Sequence, residues 1–418
     1  MNSHHQAIRN NCRSCDSPHL WPVTDLGQQR LSDFSPDPDY QPPAYPLVMM
    51  LCMNCGLLQL NCTVPRDQMY HGRYSFKSGT SETIRADLES VVQTALLHAP
   101  QYPYKRQLNW LDIASNDGTL LASVPNSYYR VGIDPLKQFA NEAIERPNGA
   151  NQIIVDYFNP TYFAQGQFDV ITSISMFYDL DDPNQFVDGV RQVLAPDGAW
   201  VIQQNYSLTM LKDTVFDNIC HEHVTYFGLR TLQNLLSRHG LVITHVGLSP
   251  VNGGCLRTIV KNRGFGEPGV SVQAQIALEQ QAGLRNPTVW EQFGDRSIDR
   301  LTELHAHLYK LREQNQRTYA YGASTRGGTI LQAAGLGVAE LPYAVERQPE
   351  KIGKTWSAVG IPIISEQQAR DEHPDAMLVS PWFMRDQIVT REQQYLQRGG
   401  RLIFPLPELQ VVGQEAGQ

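Results

Sequence analysis

Four cysteines stand in two Cys-x-x-Cys pairs, CRSC at residues 12–15 and CMNC at residues 52–55, the second followed directly by Gly56. Thiolates two residues apart on a tight turn can share one ion, and two such turns complete the tetrahedral four-sulfur shell that suits Zn²⁺. Cys12, Cys15, Cys52 and Cys55 are the expected ligands. Their role would be structural, because four thiolates leave no open position for a substrate. The stretch between the pairs is rich in Pro and Asp and too polar for a large core, so a metal would supply its stability. A lone pair would read equally as buried or redox cysteines; two pairs at the ends of one small segment favour a shared ion. Cys62 is expected to be an apolar filler.

A second constellation is HEH at residues 221–223, followed by Tyr226. A histidine can take a proton near neutral pH, and an adjacent carboxylate can fix its tautomer. His221 and His223 both flank Glu222, so either could be such a base, with Tyr226 three residues past His223. The spacing is not H-E-x-x-H, which argues against a zinc hydrolase helix. A polar surface patch or a helix start is the competing reading.

The elements that must position these residues follow from periodicity. A helical pattern covers roughly residues 83–97, with Ile84, Leu88, Val91 and Leu96 on its apolar positions. NWLDIASNDGTLL at residues 109–121 predicts a strand ending near Asp112, a turn of small residues from Ala114 through Ser115, Asn116 and Asp117, and a helix starting near Gly118. Further strands are expected to end at Asp134 and Asp156, then to run from Phe168 to about Ser173, with a fifth after the turn at residues 196–198. Alternation of strands and helices predicts a parallel doubly wound sheet, with strand-end carboxylates at the ligand crevice. Each acid reads equally as a helix cap. A nicotinamide site would need G-x-G-x-x-G after the first strand, and that motif is absent there.

Toward the C-terminus, VNGG at residues 251–254 predicts a tight turn feeding a strand, and residues 275–317 predict one or two long helices. YAYGASTRGG then predicts a strand, a glycine turn and a helix, where backbone amides and Arg326 could receive a phosphate. A purely structural turn is the alternative. Strands are also expected at LPYAVE, IPI, DAMLVS and RLIFPL.

With 418 residues, the chain is long enough for two or three domains. Its formal net charge of −8 and lack of a Lys/Arg block argue against nucleic-acid binding. No apolar segment suits a signal peptide or membrane span, and the odd, clustered cysteines argue against a disulfide framework. A soluble cytoplasmic protein is the expectation; the oligomeric state is left open.

The paired knuckles, ASNDGTLL, HEH and YGASTRG together resemble the C-methyltransferase family that acts on nucleotide-linked keto-deoxysugars in antibiotic and polysaccharide pathways. Two departures are Ala114, where relatives carry Gly, and Gln203, where Glu is common. Two more are Cys220, where a tyrosine is expected in YHEH, and Phe76, in place of a second aromatic hydroxyl. The resemblance implies S-adenosylmethionine as cofactor, with Ala114–Gly118 near its amino-acid part, Asp134 and Pro135 near the ribose, and Asp156 with Tyr157 near the adenine. It implies His223 as base and a nucleotide-linked keto sugar as small-molecule partner. Tyr74, Lys77, Ser78, Asn252, Arg326 and Lys351 are the candidate substrate contacts. The expected architecture is α/β throughout: a zinc-binding module at residues 1–70, a methyltransferase sheet at 71–245, and a Rossmann-like substrate domain at 246–418. An O- or C-methyltransferase of another small natural product, and a non-catalytic zinc-containing binding protein on the same fold, are the alternatives.

Overall fold

The computed structural model describes residues 7–69, 77–102 and 106–413. Its central sheet has seven strands in the spatial order Leu241–Ser249, Cys255–Asn262, Leu194–Asn205, Phe168–Ile174, Leu108–Ile113, Tyr128–Ile133 and Gln152–Ile154. The five strands between Leu108 and Asn205 are parallel. Strand order reverses beside Leu108–Ile113, which opens a crevice at the carboxyl ends of that strand and its neighbour Phe168–Ile174. Val170, Ile171, Val201 and Ile202 have no exposed surface, as continuous apolar strands covered on both faces should.

The last two strands of this sheet run antiparallel. They pair from Leu241 with Asn262 to Ser249 with Cys255, so the boundary expected at 245/246 falls inside a strand and would separate it from its partner. Their shared backbone hydrogen bonds extend the central unit to Asn262.

The C-terminal sheet carries five parallel strands in the order Arg401–Phe404, Ala376–Val379, Thr318–Tyr321, Ala344–Glu346 and Ile361–Ser365. Two long helices, Val270–Ala282 and Pro287–Glu313, link it to the central sheet. Asn286 caps the second by accepting from the Thr288 amide, and Pro287 occupies its first turn, where a missing N–H costs nothing. Helix Glu82–His98 lies where the periodicity predicted it, capped by Ser81.

The N-terminal module is not separate from these sheets. Its Phe34–Ser35 pairs with Thr355–Trp356 at the edge of the C-terminal sheet. In return Thr225–Tyr226, just past HEH, pairs with Leu58–Gln59 of the module. Among the described residues, no helix is long and apolar enough to cross a membrane.

Candidate active site

The crevice at the strand-order reversal is a cleft of about 1240 Å³, part of it open to solvent. Ala114, Ser115, Asn116, Asp134, Pro135 and Tyr157 from the predicted cofactor set line it, together with Ser78 and Asn252. The turn after the first strand takes left-handed backbone at Ala114 (φ 61°), Asn116 (φ 48°) and Gly118 (φ 74°). Ala114 therefore adopts a conformation that glycine would hold with less strain. Asp134 accepts from the amides of Asn116 and Leu136, each at 2.8 Å, which ties the turns after the first and second strands together.

Other expected residues have structural tasks. Asp117 is fully buried: it accepts from Thr119 N at 3.2 Å and Gly79 N at 2.9 Å. A Cβ at Gly118 would stand 2.7 Å from that of Ala143, so its smallness serves helix packing. Asp156 bonds Tyr162 and the Tyr157 amide at the surface and does not line the cleft.

Four carboxyl groups line the cleft, on Asp87, Asp112, Asp134 and Asp179, and no Lys or Arg does so among the described residues. Such a lining suits a ligand with net positive charge, and S-adenosylmethionine carries a sulfonium and an ammonium. Burial pushes Asp112 up to about 7; the Thr172 hydroxyl, donating at 2.6 Å, works against this, and the Asp134 charge adds to it. Asp87 was not anticipated, although its position between Ile84 and Val91 put it on the buried face of a helix. It accepts from Gln203 Nε2 at 2.5 Å, Arg257 at 3.0 Å and Ser249 at 2.7 Å. Gln203, at the position where a glutamate was expected, thus serves as a bridge: its oxygen accepts from Arg257 Nε at 2.7 Å.

The HEH segment meets the same carboxyl edge of the sheet. His223 packs edge-on against Tyr178 at 4.3 Å between ring centroids and lies 3.4 Å from Asn205 Nδ2, where the fifth strand ends. His223 is not itself part of the cleft wall; Asp179, next to Tyr178, is. Its Nδ1 stands 2.9 Å from the Asn218 carbonyl, which can only accept, so Nδ1 carries the hydrogen. Nε2 has no partner among the described residues. Burial pushes His223 down to about 4, with the Arg326 charge adding to this and the Asn218 carbonyl opposing it.

The expected pairing of His223 with Glu222 is not made. Glu222 accepts from the Thr325 hydroxyl at 3.0 Å and, with Cys220 and His221, lines a separate small cavity against helix Thr325–Ala333. His221 is buried against Tyr45, 3.2 Å from its carbonyl, and Tyr226 is buried in the strand paired with the zinc module. In HEH, neighbouring side chains diverge because the segment is irregular rather than helical, so adjacency in sequence did not become contact.

Of the remaining substrate candidates, Lys77 pairs with Glu142 at 2.7 Å. Arg326 pairs with Asp217 at 2.8 Å and donates to the Asn252 carbonyl at 2.5 Å. Lys351 is buried, donating to the Ala323 carbonyl at 2.8 Å. The last two cations are thus engaged within the protein in place of the open phosphate site expected. Tyr74 and Phe76 lie outside the described residues.

The sulfurs of Cys12, Cys15, Cys52 and Cys55 all lie within 4.8 Å of one another, three of the residues being buried. This donor set fits a structural Zn²⁺. Cys62 is buried elsewhere, in the small apolar cluster with Leu31, Tyr45 and Val64.

Residues 12–70 match a zinc binding domain family, residues 84–246 a methyltransferase domain family, and residues 250–407 the C-methyltransferase C-terminal domain family. The C-methyltransferase NovU of Streptomyces niveus is 26% identical over 379 residues, covering 89% of each chain. Among solved structures, the CurJ carbon methyltransferase overlaps 44% of this chain and 56% of its own at 18% identity and a TM-score of 0.35. The plantazolicin methyltransferase BpumL, in complex with SAH, overlaps 43% of this chain and 85% of its own at 15% identity and a TM-score of 0.34. Across its three matched segments the chain is an S-adenosylmethionine-dependent methyltransferase similar to the C-methyltransferases that carry an N-terminal zinc module.

Proposed function

We propose that this methyltransferase acts on carbon next to a ketone of a nucleotide-linked deoxysugar, with His223 as the base. The observation that carries the reading is a neutral imidazole whose Nδ1–H is held by Asn218 and whose Nε2 has no partner among the described residues, at the same sheet edge as an acidic cleft. Nε2 would take the proton from the carbon, and the C–H electrons would pass into the enolate. The Asn252 side chain, at the cleft beside the Gly253–Gly254 turn, is a candidate donor to the developing oxyanion. When bound, S-adenosylmethionine supplies the electrophilic methyl. That methyl would pass to the enolate carbon, the C–S electron pair remaining with the cofactor as a neutral thioether. The protein's part is to hold the two reactants in line and keep water from the enolate. The nucleotide-linked sugar rests on the family resemblance and on the second Rossmann-like sheet.

Methylation of an oxygen is the second reading, since Cys220 supplies no phenol where the family resemblance expects one. Both are tested by incubating the full chain with methyl-labelled S-adenosylmethionine and a panel of nucleotide-linked keto sugars in deuterated water. Label on carbon, with deuterium entering the neighbouring position, is expected. Label on oxygen without exchange would replace this reading. His223→Ala should reduce transfer by at least about 100-fold while leaving cofactor affinity unchanged. Undiminished turnover in that variant would remove His223 as the base.

A further inference from the structure

Asp217 is fully buried, and one of its oxygens, Oδ2, accepts two hydrogen bonds, from Arg326 and Trp382. Arg326 approaches it with Nε at 2.9 Å and a terminal nitrogen at 2.8 Å, and Trp382 Nε1 donates at 2.9 Å. Both donors belong to the C-terminal domain, whereas Asp217 sits in the single turn Phe216–Asn218 of the central domain. A buried carboxylate is tolerated only when paired and hydrogen-bonded, so these contacts pin that turn between the two domains. The next residue, Asn218, holds His223 through its carbonyl, which accepts from Nδ1 at 2.9 Å. Its side-chain oxygen accepts from Asn205 Nδ2 at 3.2 Å, and that amide nitrogen lies 3.4 Å from the same Nδ1.

We infer that Arg326 and Trp382 are positioning residues for methyl transfer: acting through Asp217, they fix the Asn218 carbonyl that selects the Nδ1–H tautomer of His223 and leaves Nε2 bare. The catalytic consequence rests on the reading of His223 as the base; the tautomer claim does not. The C-terminal domain would thereby complete the base on the central domain, besides any contact it makes with substrate. For metal-bound imidazoles, outer contacts that orient the ring change activity by about 10- to 100-fold, and a change on that scale is expected for His223.

The test uses the full chain labelled with ¹⁵N-histidine, with His223→Gln identifying the His223 signals. Wild type is expected to show a protonated Nδ1 and an unprotonated Nε2 at neutral pH. Trp382→Phe keeps the ring and removes one donor; Asp217→Asn keeps the shape and removes the charge. In both, Nε2–H should gain population, and kcat should fall about tenfold or more with KM little changed. Trp382→Phe carries the test alone should Asp217→Asn fail to fold. Folded variants with the wild-type tautomer would overturn the inference even if they were slow, because that would mark a merely structural role. A shifted tautomer together with full activity of His223→Ala would uphold the positioning chain and defeat His223 as the base.

Discussion

At the scale of single residues, burial decides which of the cleft's carboxyl groups carries charge. Asp112, at about 7, is half protonated near neutrality in the cofactor-free protein. Its folded value lies above the ordinary 3.8, so the stability it contributes is fully present below about pH 4 and is lost as pH rises through 7. The melting temperature of wild type relative to Asp112→Asn should therefore fall between pH 4 and 8. A cation in the cleft favours the ionised form, so S-adenosylmethionine binding to wild type should strengthen over pH 6–8 more than binding to Asp112→Asn. Parallel curves in thermal melts and titration calorimetry would contradict both. Such environments were only half legible in the sequence. Asp112 and Asp134 could be placed at strand tips, but their protonation depends on what covers them.

Among the elements, the turn at residues 251–254 constrains the site most tightly. Asn252 (φ 56°), Gly253 (φ 82°) and Gly254 (φ 111°) are all left-handed, bringing Asn252 to the cleft and its carbonyl to Arg326. A Cβ at Gly254 would lie 2.3 Å from Thr209 Cγ2, on helix Ser207–Asp213. Gly254→Ala should cost about 1–3 kcal/mol from the strained backbone alone, and should weaken turnover by displacing Asn252. Chemical denaturation with steady-state kinetics measures both; an unaltered denaturation midpoint would refute the steric argument. Strands and helices here were readable because their periodicity is local. HEH was not, since in an irregular segment no period states which way each side chain points.

For the molecule as a whole, the zinc module should matter to catalysis at a distance. Its sheet includes Thr225–Tyr226, and its buried Arg13 pairs at 3.1 Å with Asp181, next to Leu180 of the cleft wall. Removing zinc would unfold turns that four thiolates hold together, and the disturbance would reach both flanks of the site. Chelation under reducing conditions should lower the melting temperature and the methyl-transfer rate together, with zinc restoring both. Full activity in metal-free protein would show that the module stands apart. Covalent spacing determined the metal ligands, the parallel strands and the strand-end acids, because each depends on residues close in the chain. Only tertiary structure decided that Arg326 and Lys351 are engaged internally, that Asn218 rather than Glu222 orients His223, and that the three units share strands. Those outcomes depend on groups far apart in sequence competing for the same buried partners, and no local pattern records which competitor wins.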